Sequence, residues 1–122
     1  MAEDSVSNAS HGGVPDVHDP EFLAQVVKRI VEAVHPLRVI LFGSAARGDS
    51  GPHSDLDFLV VMSDGIHRRQ TARRIFRRLS GMGFAKDVIV VTEEDVRRFK
   101  DNPSLVVMPA LQEGKELYRA AG

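Results

Sequence analysis

The residues whose types and spacing could do chemistry are three aspartates and a Gly-Ser pair. Asp55 and Asp57 stand one residue apart at the head of the apolar run LDFLVVM. In a strand, residues i and i+2 share a face, with backbones about 6.5 Å apart. At neutral pH both carboxylates are ionised, so they repel unless a cation sits between them. Asp87 opens a second apolar run, DVIVV. If the two strands are neighbours, Asp87 joins Asp55 and Asp57 in a cluster of three. Such an all-oxygen donor set, without His or Cys, suits Mg²⁺ or Mn²⁺ rather than zinc. Two such ions, about 3.5–4 Å apart, can clamp the attacking and leaving oxygens of a phosphoryl transfer. Gly43 and Ser44 follow the apolar run that ends in Phe42. Glycine lets backbone N–H groups approach a phosphate, and a serine hydroxyl adds a donor. Arg47 could bring positive charge to the same phosphates or form a salt bridge to a motif aspartate. His53, close by, reads as a loop residue rather than a ligand.

The elements that must position these residues are legible from pattern. Residues 1–18 are rich in Ser, Asn, Gly, Asp and His, and read as a mobile tail that includes His11 and His18. The domain is expected over 19–122. Asp19-Pro20 starts a helix, whose oily face is Phe22, Leu23, Val26, Val27, Ile30, Val31 and Val34, and Pro36 stops it. Leu37–Phe42 reads as the first strand. A short helical turn capped by Ser44 follows and closes at Gly48. Asp49–Ser54 is loop, and the second strand spans about Leu56–Met62. From Ile66 to Leu79 the sequence predicts a strongly basic helix with Ala72, Ile75, Phe76 and Leu79 as its apolar stripe. Asp87–Val91 is the third strand, Thr92 caps a helix through Val96, and Asn102-Pro103 breaks the chain. A last helix is expected from Ser104 to about Gln112, then a short edge strand over Lys115–Arg119. The result is an α/β (α+β) domain, a mixed sheet with helices packed against it.

Composition narrows the function classes. The chain has 122 residues, a size that suits one domain. Its net charge of −1 argues against a protein built to coat nucleic acid. It has no cysteine, hence neither disulfides nor thiolate metal sites. The first residues, MAEDSVSNAS, lack the basic-then-apolar order of a secretory signal, and the apolar runs are only strand-sized. A soluble cytoplasmic domain is the expectation.

Gly43-Ser44, then Asp55-Leu56-Asp57, with Ala46-Arg47-Gly48 between them and an Asp87-led strand downstream, resembles the DNA polymerase β-like nucleotidyltransferase superfamily. Within it, the likeness is to the small stand-alone members called minimal nucleotidyltransferases (MNT), and it covers about residues 20–120. The resemblance implies the polymerase β-like fold and an enzyme that transfers a nucleoside monophosphate. It implies that Gly43 and Ser44 hold the triphosphate and that Asp55 and Asp57 bind both metal ions. By the same likeness, Asp87 binds the catalytic metal and helps deprotonate the acceptor hydroxyl. The resemblance further implies Mg²⁺, with Mn²⁺ as substitute, ATP as substrate and a setting in prokaryotic toxin–antitoxin modules. There such proteins pair with a HEPN-domain toxin and transfer AMP to one of its tyrosines. Larger relatives append domains that hold base and acceptor. A chain this short has no room for one, so a partner or a second copy is expected to complete the site.

Other readings weigh less or stay open. Gly43–Gly48 has the glycine spacing of a P-loop, but Asp49 stands where that motif needs lysine. A small-molecule acceptor such as an aminoglycoside is disfavoured by the missing acceptor domain. The arginine-rich helix could be a solvated face, a docking surface for an acidic partner or an RNA-binding face. The alternative to the enzyme is a non-catalytic antitoxin that neutralises its partner by occupying it.

Overall fold

A computed structural model describes residues 16–48, 51, 54–99 and 111–121. Helix α1 spans Pro20–Val34. Asp19 caps it, its carboxylate accepting from the Glu21 N–H at 3.0 Å, and proline fits the first turn because no N–H is needed there. The helix ends at Val34 with His35 as its C-cap, just ahead of the expected stop at Pro36. His35 takes a left-handed conformation (φ 51°) and donates its N–H to the Val31 carbonyl at 2.9 Å. Pro36 is the cause at one remove, since it bars the preceding residue from continuing the helix.

Four strands follow, β1 (Arg38–Phe42), β2 (Leu56–Met62), β3 (Lys86–Thr92) and β4 (Lys115–Arg119). Their order in the sheet is β3-β2-β1-β4. Strands β1 and β2 are antiparallel, as are β1 and β4, whereas β2 and β3 run parallel. A parallel pair needs a crossover, and helix α3 (Arg68–Leu79) supplies it. The expected mixed sheet with helices against it is therefore the observed fold, with Lys115–Arg119 as an edge strand. Short helix α2 (Ser44–Arg47) lies between β1 and β2, and α4 (Glu93–Phe99) follows β3.

The two faces of the sheet differ. Helices α1 and α3 cover one face, where Val26, Ile30, Ile75 and Leu79 meet Val39, Leu41, Phe58, Val60, Val88 and Val90. Phe22 stacks edge-on against Phe84 with ring centroids 5.1 Å apart. The other face holds a smaller cluster of Ile40, Leu59, Val61 and Val91, with Val96 of α4 and Leu111 packed against it. Central strand β2 is buried on both faces from Phe58 to Met62, which explains why those residues form a continuous apolar run instead of alternating. Burying a side chain such as Phe58 contributes roughly 1.5–3 kcal/mol.

Several details depart from the sequence expectation. Val17, within the segment expected to be tail, is fully buried in the main core. A turn in which the Asp19 N–H donates to the Asp16 carbonyl turns it inward. Helix α3 starts at Arg68 rather than Ile66, because His67 serves as its N-cap. Of the expected helix 104–112, only 111–112 lie within the described residues, and they are helical, as is 113. Among the described residues no helix is long and apolar enough to cross a membrane.

At the start of α4, Thr92 and Asp95 cap each other. The Asp95 N–H donates to Thr92 Oγ1 at 3.1 Å and the Thr92 N–H to Asp95 Oδ2 at 3.0 Å. Arg68 adds a fork to the same carboxylate, Nε to Oδ2 and Nη2 to Oδ1, both 2.9 Å. Burial pushes the Asp95 carboxyl up, but the hydrogen bonds from Arg68 and Thr92 outweigh it and hold the group below the usual carboxylate range.

Candidate active site

The site is assembled where β1 ends and where β2 and β3 begin. Asp57, the second residue of β2, pairs with Phe42 of β1 on one side and with Asp87 of β3 on the other. The condition set by the sequence, that the two Asp-led strands be neighbours, is met, and Asp57 and Asp87 stand directly opposite in a parallel register. Period-2 geometry puts their side chains on one face, that of Leu59, Ile89 and Val91. Asp55 lies just ahead of β2 and is exposed, as is Asp87, whereas Asp57 is half-buried. The Leu56 N–H donates to the Ala85 carbonyl at 3.0 Å, which ties the two strand starts together beside the aspartates.

The carboxylates feel one another. Burial first, then the charge of Asp87, then that of Asp55, push the Asp57 carboxyl above its ordinary value. Lys86, next to Asp87 in sequence, is committed elsewhere: its Nζ donates to the Phe84 carbonyl at 3.3 Å and lies 4.8 Å from the centre of that ring. Among the described residues, no three His, Cys, Asp or Glu side chains are already gathered into an ion-binding group. The donor set fits a hard divalent cation, which would remove the repulsion that raises Asp57.

Gly43 is bound to Asp57 more tightly than its sequence context suggests. Its φ is +78°, and a Cβ there would lie 2.5 Å from Asp57 Oδ2. Only glycine satisfies both the left-handed backbone and the close approach. The Gly43 carbonyl accepts from the Ala46 and Arg47 N–H groups at 3.1 and 3.3 Å, so Gly43 starts the turn that Ser44 was expected to cap. Ser44 opens α2, and its side chain lies outside the described residues. Arg47 closes α2 with an exposed side chain, and Gly48 (φ +78°) ends the turn as expected. His53 lies outside the described residues.

One contact had no signal in the sequence. His18 Nε2 hydrogen-bonds the Gly51 carbonyl at 3.1 Å, linking the start of the chain to the loop that leads into Asp55. The partners are 33 positions apart, and nothing in either local pattern announces the other.

The nucleotidyltransferase domain family matches residues 23–117. Among solved structures, a protein of Sulfolobus solfataricus assigned to the nucleotidyltransferases is similar, with a TM-score of 0.58 and 21% identity, over 85% of this chain and 83% of that one. A toxin–antitoxin structure with AMP-PNP is similar with a TM-score of 0.51 and 20% identity, over 80% of this chain and 73% of that one. At these identities the likeness shows the fold. No curated protein sequence matches the chain.

Proposed function

The chain belongs to the nucleotidyltransferase domain family, and on that premise we propose that it transfers AMP from ATP to a hydroxyl. The acceptor we propose is a tyrosine of a partner HEPN-domain toxin, which makes this chain the antitoxin. The observation that carries the reading is the in-register Asp57–Asp87 pair with the Gly43 backbone packed on Asp57.

In the proposed reaction the acceptor oxygen bonds to the α-phosphorus while the bond to pyrophosphate breaks. The hydroxyl proton passes to Asp87, and pyrophosphate leaves. Gly43 and Ser44 hold the triphosphate, Arg47 adds positive charge to it, and Asp55, Asp57 and Asp87 hold two Mg²⁺ ions. When bound, the metal supplies charge neutralisation at the attacking and leaving oxygens. Packing of Gly43 against Asp57 sets the distance between phosphate cradle and carboxylates. The similarity to a toxin–antitoxin structure with AMP-PNP supports the partner and the adenine nucleotide.

The second reading, a non-catalytic antitoxin acting by complex formation, draws on the absence of a preformed ion-binding group among the described residues. Intact-mass spectrometry separates the two. The chain is incubated with ATP, Mg²⁺ and the protein encoded beside it, and a gain of one or more adenylyl units on that protein is expected. No gain with any nucleotide, together with protection of cells by Asp57→Asn, rejects the transferase reading.

A further inference from the structure

Four arginines of α3 stand on its solvent side with no carboxylate partner among the described residues. Arg69, Arg73, Arg74 and Arg77 are exposed, and none makes an ion pair among the described residues. The helix sequence RRQTARRIFRRL contains no acidic residue, and only its flanking arginines are neutralised, Arg68 by Asp95 and Arg78 by Glu32. At 3.6 residues per turn, Arg69, Arg73, Phe76 and Arg77 follow one stripe, away from buried Thr71, Ile75 and Leu79. Phe76 is the one large hydrophobic side chain exposed among the described residues, at 39%. The stripe works against the helix that carries it. Arg69 and Arg73 repel at i,i+4, as do Arg73 and Arg77. Arg68 and Arg69 also meet the positive end of the helix dipole. A chain with more acidic than basic residues has placed none here.

We propose that this stripe docks an acidic surface of a partner protein, with Phe76 as its apolar anchor. Unpaired positive charge seeks negative charge, and arginine beside an aromatic ring is the composition of interface hot spots. A nucleic acid is the weaker match, because the chain carries a net charge of −1, with more acidic than basic residues. Helix α3 covers the sheet face opposite Asp57, so the surface shares no residue with the candidate active site. The inference therefore stands whether or not the chain transfers nucleotide.

The probe is a synthetic helical peptide of about 20 residues, with glutamates at i,i+4 steps along one face and leucines beside them. Its binding to the full chain is followed by fluorescence anisotropy at low and physiological salt. Arg73→Glu with Arg77→Glu is expected to weaken binding at least about tenfold, and Phe76→Ser about threefold with an unchanged salt dependence. Lys28→Glu with Arg98→Glu, which changes the net charge equally elsewhere, is expected to bind as wild type. The neutral pair Arg73→Gln and Arg77→Gln, melting as wild type, is expected to fall between. The proposal is overturned if the peptide does not bind, or if both charge-reversed pairs lose affinity equally. It is overturned too if a single-stranded RNA of equal charge outcompetes the peptide and depends on the same arginines.

Discussion

Two aspartates of the sheet region, Asp57 and Asp95, have the same side chain and opposite electrostatics. Asp95 is buried with every demand met, by a fork from Arg68 and the Thr92 N–H, and its carboxyl is held below the usual range. Asp57 is half-buried, and burial first, then the charges of Asp87 and Asp55, push it up. The first is a structural carboxylate, stable as the anion. The second is a carboxylate whose anion the surrounding fold disfavours. A perturbed carboxylate with like-charged neighbours at a strand mouth is the kind of group that functional sites keep at a cost in stability.

Each prediction tests that contrast, and the largest effect falls on Asp57. Replacing it with Asn is expected to lower adenylyl transfer by roughly 10³-fold or more, by loss of metal charge stabilisation. The same change is expected to raise the melting temperature in EDTA. The sign follows from linkage: a raised carboxyl means that ionised Asp57 costs stability, a cost relieved as pH falls through its folded value. A variant that is inactive and less stable in EDTA would break the contrast.

Gly43→Ala comes next. Its methyl group would collide with Asp57 Oδ2 and strain a left-handed backbone. Transfer is expected to drop about 10²-fold from misplaced carboxylates, with a loss of about 1 kcal/mol or more in urea unfolding.

Asp95→Asn should do the reverse of Asp57→Asn. It removes the charge that Arg68 and Thr92 satisfy, so roughly 1–3 kcal/mol of stability is expected to be lost, read by urea unfolding. Transfer measured well below the melting point is expected to stay near wild type. The Asp95 contribution is fully present above the unfolded carboxylate value and is lost as pH falls through its lower folded value. Wild type is thus expected to lose this stability in strong acid, while the Asn variant shows no such limb.

The smallest effect is a ligand shift. Mg²⁺ at ten times its dissociation constant is expected to stabilise wild type by about 1.4 kcal/mol and Asp57→Asn by close to nothing, read as a melting shift. Equal shifts in both proteins would place the ion elsewhere.

Much of the site was legible before the fold. The phase of Asp57 followed from a strand periodicity of two, and apolar Phe58–Met62 had to form a buried strand, whereas Asp55 lies just ahead of it. Asp87 was legible only conditionally, since its meeting with Asp57 depended on which strands pair. His18, read as tail, and Val17 beside it were misjudged because short polar segments give no sign of the core they close. Asp95 stood only inside the helix that Thr92 was expected to cap. Its fork from Arg68, 27 positions away, had no local trace.

By itself, then, the sequence determined the order of elements, the phase of each strand and the chemistry of the donors, because these follow from periodicity, capping and side-chain type. Only the tertiary structure decided that β2 and β3 run parallel in register, that Gly43 lies against Asp57 and that Arg68 satisfies Asp95 rather than Asp57. Those outcomes turn on which surfaces far apart in the chain come into contact. That contact determines whether a carboxylate is paired, as Asp95 is, or crowded by like charge, as Asp57 is.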